Sequence, residues 1–190
     1  MDILKMISGQ MIDQDVLNQL GQAVGAKPNQ VKQVAQIGMP ALLQALRRNA
    51  ATSEGAAALA GALDQHKDDN INDVARFLNN IDNNDSARML QHIFSGNTER
   101  VQSNLARQTG LDKNQVSGLM MKMAPLLMGA LGQHKKQQNI DAASLSGMLS
   151  GLFTQGSSGM MGMVANLLDT DNDGDITDDI GKILGGFLKK

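Results

Sequence analysis

Apolar residues recur along this chain at intervals of three and four positions, and runs that alternate apolar with polar residues are rare. The first spacing lines one face of an α-helix, whereas strict alternation is typical of a strand. The pattern therefore predicts an all-α protein. The helices expected from it cover approximately residues 3–10, 15–24, 28–49, 53–66, 71–80, 86–94, 98–109, 112–133 and 141–153, then 160–168 and a final helix.

Glycine, proline and short polar runs separate these segments. Gly25 and Gly110 follow apolar runs, where an α-helix commonly ends. Pro28 suits the first turn of a long helix, because its missing N–H would have no helical acceptor there. Asn and Asp clusters at 68–73 and 82–85 predict turns and helix caps. Proline inside a helical pattern predicts a kink or an interruption, and there are two such positions, Pro40 and Pro125.

The chain also repeats itself with an offset of 85 residues. The matched residues of the first copy are Leu20, Gly25, Asn29, Gln30, Val31, Pro40, Leu42, Ala45 and Leu46. Their counterparts are Leu105, Gly110, Asn114, Gln115, Val116, Pro125, Leu127, Ala130 and Leu131. After one inserted residue, Leu59, Gly61 and Leu63 match Leu145, Gly147 and Leu149. We expect two copies of a helix-turn-helix, homeodomain-like unit, over residues 1–85 and 86–155, and a C-terminal helix pair, 156–190, that packs on them.

An acidic stretch at residues 169–180 has the first half of an EF-hand calcium loop. Asp169, Asp171 and Asp173 occupy loop positions 1, 3 and 5, where carboxylates bind the cation. Gly174 occupies position 6, which needs a sharp turn, and Asp175 supplies the backbone carbonyl of position 7. The pattern predicts a Ca²⁺ site, because an all-oxygen ligand set favours a hard cation over zinc, copper or iron.

The second half of this loop departs from the EF-hand pattern. Position 12, which normally carries a bidentate Glu, is Ile180. A loop shortened by one residue would be closed by Asp179, with Asp178 as the alternative. Because Asp reaches less far than Glu, we expect weak affinity, about 10⁻⁵ to 10⁻³ M. The competing interpretation is a polar turn in which Thr177 or Asp178 caps a helix.

Composition narrows the range of functions. The chain has four Phe, no Trp or Tyr and thirteen Met, so the core must consist of aliphatic residues and methionine. A net charge of −2 gives no argument for general nucleic-acid binding, and the absence of cysteine excludes disulfides and thiolate chemistry. Neither a signal-peptide pattern nor an apolar run of transmembrane length is present, which predicts a cytoplasmic protein.

Residues 105–119 are similar to a DNA-binding helix-turn-helix, with a glycine in the turn. Only Lys113 and Lys122 offer phosphate contacts, and no Arg or Asn cluster is available for contacts with base edges. The expected recognition helix, however, is apolar on nearly all sides between residues 119 and 128, which is typical of a buried helix. Structural packing is therefore the favoured interpretation, and a DNA-associated regulator is the alternative.

Further along the chain, Leu105-Ala-Arg-Gln-Thr-Gly-Leu111, Val116 and Ala124-Pro-Leu-Leu-Met-Gly-Ala-Leu131 resemble the bacterial YidB-like proteins, the domain-of-unknown-function family numbered 937. His92-Ile-Phe-Ser-Gly96 and Leu168-Asp-Thr-Asp-Asn-Asp-Gly-Asp175 extend the resemblance over most of the chain. The resemblance implies an all-α, homeodomain-like helical fold and no established activity. It also implies acidic residues placed just short of a full-length calcium loop.

The remaining motifs favour binding over catalysis. No Ser-His-Asp spacing, phosphate-binding glycine loop or paired-carboxylate cleft stands out. His66 and His134 are expected at helix C-termini, where they complement the dipole, and His92 is expected to be structural. The final helix would carry one apolar stripe, formed by Ile176, Ile180, Ile183, Leu184, Phe187 and Leu188.

These features together predict a non-enzymatic, calcium-binding helical protein that serves as an interaction or self-assembly module. Its ligand would be a protein partner or a second copy of the chain. The alternatives are DNA association and peripheral binding to a membrane surface through the C-terminal stripe, for which folding of the stripe onto the core is the preferred interpretation.

Overall fold

A computed structural model describes residues 14–156 of the 190-residue chain, with side chains described for 14–152. This range contains eight α-helices: α1 Gln14–Val24, α2 Pro28–Asn49, α3 Ser53–His66, α4 Val74–Asn79, α5 Asn83–Ile93, α6 Thr98–Thr109, α7 Lys113–Gln137 and α8 Ala142–Gly156. No strand occurs among the described residues, which confirms the all-α prediction. The predicted helix at 3–10 and everything after 156 lie outside the described range.

The long helix α7 runs through the centre of the molecule. It packs against α1, α2, α3, α4, α5 and α6, and every residue from Met123 to Gly132 is buried. The second long helix, α2, lies beside it and packs against α1, α3, α5, α6 and α8. The buried residues form one core of leucine, valine, alanine, isoleucine and methionine. Because α7 contacts so many helices, the apolar residues around it are covered by protein on nearly all sides.

Side-chain caps determine where several helices begin. The carboxylate of Asp82 accepts hydrogen bonds from the backbone N–H groups of Asn84 and Asp85, so α5 begins at Asn83 and not, as predicted, at 86. The carboxylate of Asp73 accepts from the N–H of Arg76, so α4 begins at Val74 and not at 71. The Asp clusters at 68–73 and 82–85 therefore contain helix caps, as predicted.

Two prolines lie inside long helices without interrupting them. Pro40 lies within α2 and Pro125 within α7, and both helices continue to their C-termini. Each proline lacks the N–H that would bond the carbonyl four residues earlier, at Gln36 and Met121. The flanking turns of both helices are held by the core on either side of the proline. Tertiary packing therefore overrides the interruption that proline alone would favour.

Glycines allow close contact between α7 and its neighbours. A Cβ at Gly132 would lie 2.6 Å from the carbonyl oxygen of Leu63, on the backbone of α3. On α2, a Cβ at Gly38 would lie 3.0 Å from Sδ of Met120 and 3.3 Å from Cε of Met123. Gly132 must lack a side chain because the backbone of α3 occupies that space, whereas at Gly38 two flexible Met side chains fill it.

The long helices also cap the C-termini of shorter ones. Nε2 of Gln115 in α7 donates to the carbonyl oxygens of Val24 (3.2 Å) and Gly25 (2.7 Å), at the end of α1. The Lys122 ammonium donates to the carbonyl of Leu78 in α4 at 3.1 Å. Such side chains donate to helix-terminal carbonyl oxygens that receive no N–H bond from their own helix. The short helices are therefore attached to α7 by hydrogen bonds as well as by apolar packing.

The start of α7 shares local geometry with the start of α2, 85 residues earlier. Gly25 and Gly110 precede these helices with nearly equal backbone angles, φ 70° and 68°. The N–H of Lys27 donates to Oε1 of Gln30 at 3.2 Å, and the N–H of Asp112 donates to Oε1 of Gln115 at 3.1 Å. The division into units 1–85, 86–155 and 156–190 stays a prediction. None of the described helices is long and apolar enough to cross a membrane.

Candidate functional site

The predicted calcium ligands lie outside the described residues. This applies to Asp169, Asp171, Asp173, Asp175 and Asp179, and to the apolar stripe from Ile176 to Leu188. Within residues 14–156, no group of three or more His, Asp or Glu side chains could hold a metal ion. The calcium site therefore stays a prediction, and a site within the described part of the chain has to be sought elsewhere.

A groove lies between α3 and α5 on the described surface. Both helices pack against α7 and α2, but they make no substantial contact with each other. Two adjoining cavities, of about 610 and about 590 Å³, fill the space between them. They share four lining residues, Gln65, His66, Asp85 and Met89. We refer to this pair of cavities as the α3–α5 groove.

The floor of the α3–α5 groove is apolar. Pro125 and Met128 of α7 form its base, and Leu59 of α3 lines one wall. Phe77 and Met89, from α4 and α5, are only half-buried, so part of their apolar surface faces the groove. Apolar surface that stays accessible in a concave site is available for burial by a ligand.

The rim of the groove is acidic. The ionised side chains that line it are the carboxylates of Asp69, Asp82 and Asp85 and the single guanidinium of Arg76. Asp69 Oδ2 lies 2.8 Å from Nδ1 of His66, and Asp85 pairs with Arg88. Carboxylates accept several hydrogen bonds each. These exposed or half-buried oxygens therefore keep capacity for a cationic ligand.

A hydrolytic interpretation of the same groove fails on geometry. His66 and Asp69 form a pair, and Ser86 lines the same cavity. The Ser86 side chain, however, is 1% exposed, and its hydroxyl donates to the backbone carbonyl of Asp82 at 2.8 Å. A serine nucleophile must instead bond to its general base and face the substrate. Ser86 thus belongs to the first turn of α5 and is not placed for attack.

The helix-turn-helix segment comprises α6, the turn at Gly110 and α7. Val116, Leu119 and Met120 at the start of α7 are fully buried, so one face of this helix packs on the core. Both cations named for phosphate contact have protein partners. Lys122 caps α4, and Lys113 lies 3.4 Å from Glu99. The geometry is that of a buried structural helix.

The three histidines occupy helix C-termini. His66 is the last residue of α3, His92 lies in the last turn of α5 and His134 in the last turn of α7. Partial burial lowers the pKa of His134 below its usual range, because desolvation disfavours the charged imidazolium. Burial thus acts on His134 against the dipole effect that its position predicts. His134 is accordingly a poor dipole partner near neutral pH.

Charged pairs close the end of the bundle next to the groove. Lys135 lies 2.7 Å from Asp64, and Lys136 lies 2.6 Å from Asp68. Hydrogen bonds from these ammonium groups hold the pKa of each carboxyl below its ordinary value. Nε2 of Gln133 adds a 2.6 Å bond to the carbonyl of Asp69. The C-terminus of α7 therefore fixes the end of α3 and the loop that carries Asp69.

Sequence reasoning did not identify the α3–α5 groove. Its lining comes from helices α2, α3, α4 and α5, from the loops on either side of α4 and from the middle of α7, so no continuous motif contains it. One available signal was the short amphipathic helix α5, where Met89 lies next to the acidic turn at 82–85. That signal indicates a half-exposed apolar side chain beside carboxylates, but not which helix faces it.

Comparison with known proteins gives a family and no assigned activity. No curated protein and no solved structure matches the chain. A family described as a bacterial protein of unknown function, DUF937, matches residues 5–134, which include all of α1 to α6 and nearly all of α7. With more than half of its length matched, the chain belongs to the DUF937 family of bacterial proteins of unknown function.

Proposed function

We propose that this protein is a non-enzymatic helical interaction module, and that it binds calcium through Asp169, Asp171, Asp173, Asp175 and Asp179. The observation that carries the interaction role is the α3–α5 groove, which combines an apolar floor with an acidic rim. A groove of this kind is suited to the apolar face of an amphipathic helix whose flanks are basic. The calcium role is supported by the spacing of the aspartates and by Gly174.

The absence of an assembled reaction centre in the described residues is consistent with binding. Ser86 is committed to a backbone acceptor, and Nδ1 of His66 pairs with the carboxylate of Asp69. Binding of a peptide, in contrast, requires only the shape and charge that the groove already has. Partial burial of Phe77 and Met89 leaves apolar area whose removal from water would supply binding free energy.

We further propose that the core arose by duplication of one helical unit. Support comes from Gly25 and Gly110, which have matching φ angles, and from the matching Lys27–Gln30 and Asp112–Gln115 bonds. Gly38 and Met123 are counterparts at the same offset, and they meet where α2 crosses α7. Counterparts that touch each other are expected at an approximate twofold axis, where a small residue can accommodate a large one.

Calorimetric titration of the full chain with Ca²⁺ tests the calcium role. Saturable heat in the range of about 10⁻⁵ to 10⁻³ M is expected, and Asp171→Ala and Asp179→Ala should each abolish it. Asp178→Ala is the matched control, since it alters the neighbouring carboxylate and should leave most of the affinity. Size-exclusion chromatography with and without Ca²⁺ measures assembly. Absence of heat up to millimolar Ca²⁺ contradicts the calcium role.

A further inference from the structure

The α3–α5 groove has a candidate occupant within the same chain. Residues 176–188 place an apolar residue at every third or fourth position, ending at Phe187 and Leu188. A helix with this spacing shows one apolar stripe about 18 Å long. The groove offers a complementary apolar floor on the core, from Pro125 and Met128 to Met89. We infer that residues 176–190 dock in the α3–α5 groove of their own chain.

Charge favours this occupant. The docking segment 176–190 has three ammonium groups, at Lys182, Lys189 and Lys190, and two carboxylates in its first turn, at Asp178 and Asp179. The groove lining has three carboxylates and one guanidinium. Opposite charges around an apolar contact set the orientation of a docked helix more than its affinity. The ammonium groups therefore orient the segment toward the rim formed by Asp69, Asp82 and Asp85.

Chain length allows docking within one molecule. Residue 156 is the last described position, and twenty residues lead from it to Ile176. With the predicted helix at 160–168 and the other residues extended, this span reaches about 50 Å, whereas a domain of this size is on the order of 40 Å across. A short tether that spans the distance gives the segment an effective concentration in the millimolar range. At micromolar protein concentrations, the docked population within one chain is therefore expected to exceed the population docked between chains.

This inference rests on the proposed function, because the predicted calcium loop, residues 169–179, overlaps the first turn of the docking segment. Calcium bound there would restrict the tether and raise the docked fraction. At high Ca²⁺ the docked segment would cover the groove, so the apolar residues of both would be shielded from other proteins. At low Ca²⁺ both would become available to a second copy or to another protein, which is the regulated step of the interaction module.

The natural absence of cysteine permits a direct test by disulfide trapping in the full chain. Met89→Cys on the groove is combined with Ile180→Cys, Ile183→Cys or Phe187→Cys on the segment. Ala58→Cys, at an exposed position that lines the same groove, provides a second anchor that does not disturb the core. Gln36→Cys, exposed on α2 and outside the groove lining, is the control anchor. Mild oxidation is followed on non-reducing gels and by mass spectrometry.

We expect at least one pair with each groove anchor to close within one chain about tenfold faster than its Gln36→Cys counterpart. Added Ca²⁺ should raise that rate and EGTA lower it. The Lys189→Glu/Lys190→Glu pair, or 0.5 M salt, should slow trapping several-fold because screening weakens exposed charge pairs. Equal rates for groove and control anchors overturn the inference, and so do disulfides formed only between chains, which assign the groove to a second copy.

Failure of the calcium role gives a different result from failure of docking. If trapping at the groove is fast, its rate is identical in Ca²⁺ and EGTA, and calorimetry shows no heat, then docking is supported and calcium control is contradicted. Calorimetric binding of Ca²⁺ without preferential trapping at the groove retains the calcium loop and removes docking.

Discussion

Nε2 of Gln115 lies 2.7 Å from the carbonyl oxygen of Gly25, a residue 90 positions earlier in the chain. The same amide donates to Val24, while its oxygen accepts from the N–H of Asp112 at 3.1 Å. One side chain thus caps the start of α7 and the end of α1 together. Its counterpart Gln30 makes the local bond to Lys27, and no bond across the core is found for it in the described residues.

Removal of the Gln115 amide should therefore cost more stability than removal of the Gln30 amide. We expect Gln115→Ala to lower the free energy of unfolding by about 1–2 kcal/mol and Gln30→Ala by about 0.5 kcal/mol. Urea unfolding followed by circular dichroism measures both, since the chain has no Trp or Tyr for fluorescence. Equal losses would show that the contact with α1 contributes nothing.

Two helical glycines should respond oppositely to alanine. Gly132→Ala places a Cβ 2.6 Å from the backbone oxygen of Leu63, so it should destabilise the protein by about 2 kcal/mol or more. Gly61→Ala on α3 meets nothing within 4 Å and should stabilise it by about 0.5–1 kcal/mol through helix propensity. Thermal midpoints and urea midpoints of both variants give the comparison. A stable Gly132→Ala variant would mean that α3 can move away from α7 at little cost.

Asn49 holds the end of α5. Its Nδ2 donates to the carbonyls of His92 (3.2 Å) and Ile93 (3.0 Å), and its oxygen accepts from the hydroxyl of Ser95 (3.3 Å). Asn49→Ala should lower the free energy of unfolding by about 1–2 kcal/mol, because two helix-terminal carbonyls lose their donor. Asn29→Ala, at an exposed position on α2, should stay within about 0.5 kcal/mol of the wild type. Denaturant unfolding distinguishes the two.

The low pKa of His134 makes stability depend on pH below neutrality. Burial lowers its folded pKa below the unfolded value of 6.5, so the unfolded chain binds the proton more strongly. The folding stability that the neutral His134 imidazole contributes is fully present above pH 6.5. It is lost as the pH falls through 6.5 toward the folded pKa.

His134→Gln should accordingly flatten the stability profile between pH 7 and pH 5, measured from urea midpoints at fixed ionic strength. His92→Gln, at an exposed position, is the matched control. An unchanged slope in His134→Gln would contradict the assignment.

Helix boundaries were predictable where local chemistry determines them. α1 and α6 end, and α2 begins, at the predicted residues, because Gly25, Gly110 and Pro28 mark these boundaries independently of tertiary contacts. α7 was expected to end near 133 but continues to Gln137, where Lys135 and Lys136 pair with carboxylates more than sixty residues away. That extension depends on packing that no local pattern contains.

Site chemistry was less predictable than the fold. Lys122 was considered a phosphate contact, yet it caps α4, because that role depends on where Leu78 lies in space. The α3–α5 groove exists because two helices share α7 and α2 as neighbours but not each other. Such a relationship is a property of the whole arrangement, so it leaves no trace in the spacing of residues along either helix.

The capping of α4 by Lys122 limits how the protein can come apart. With six residues, α4 is far shorter than the roughly 12–15 residues that an isolated helix needs in water. Its end is closed by an ammonium group on α7, and its buried residues Val74 and Leu78 belong to the shared core. α4 therefore has no folded form of its own, and amide exchange along it reports the integrity of α7.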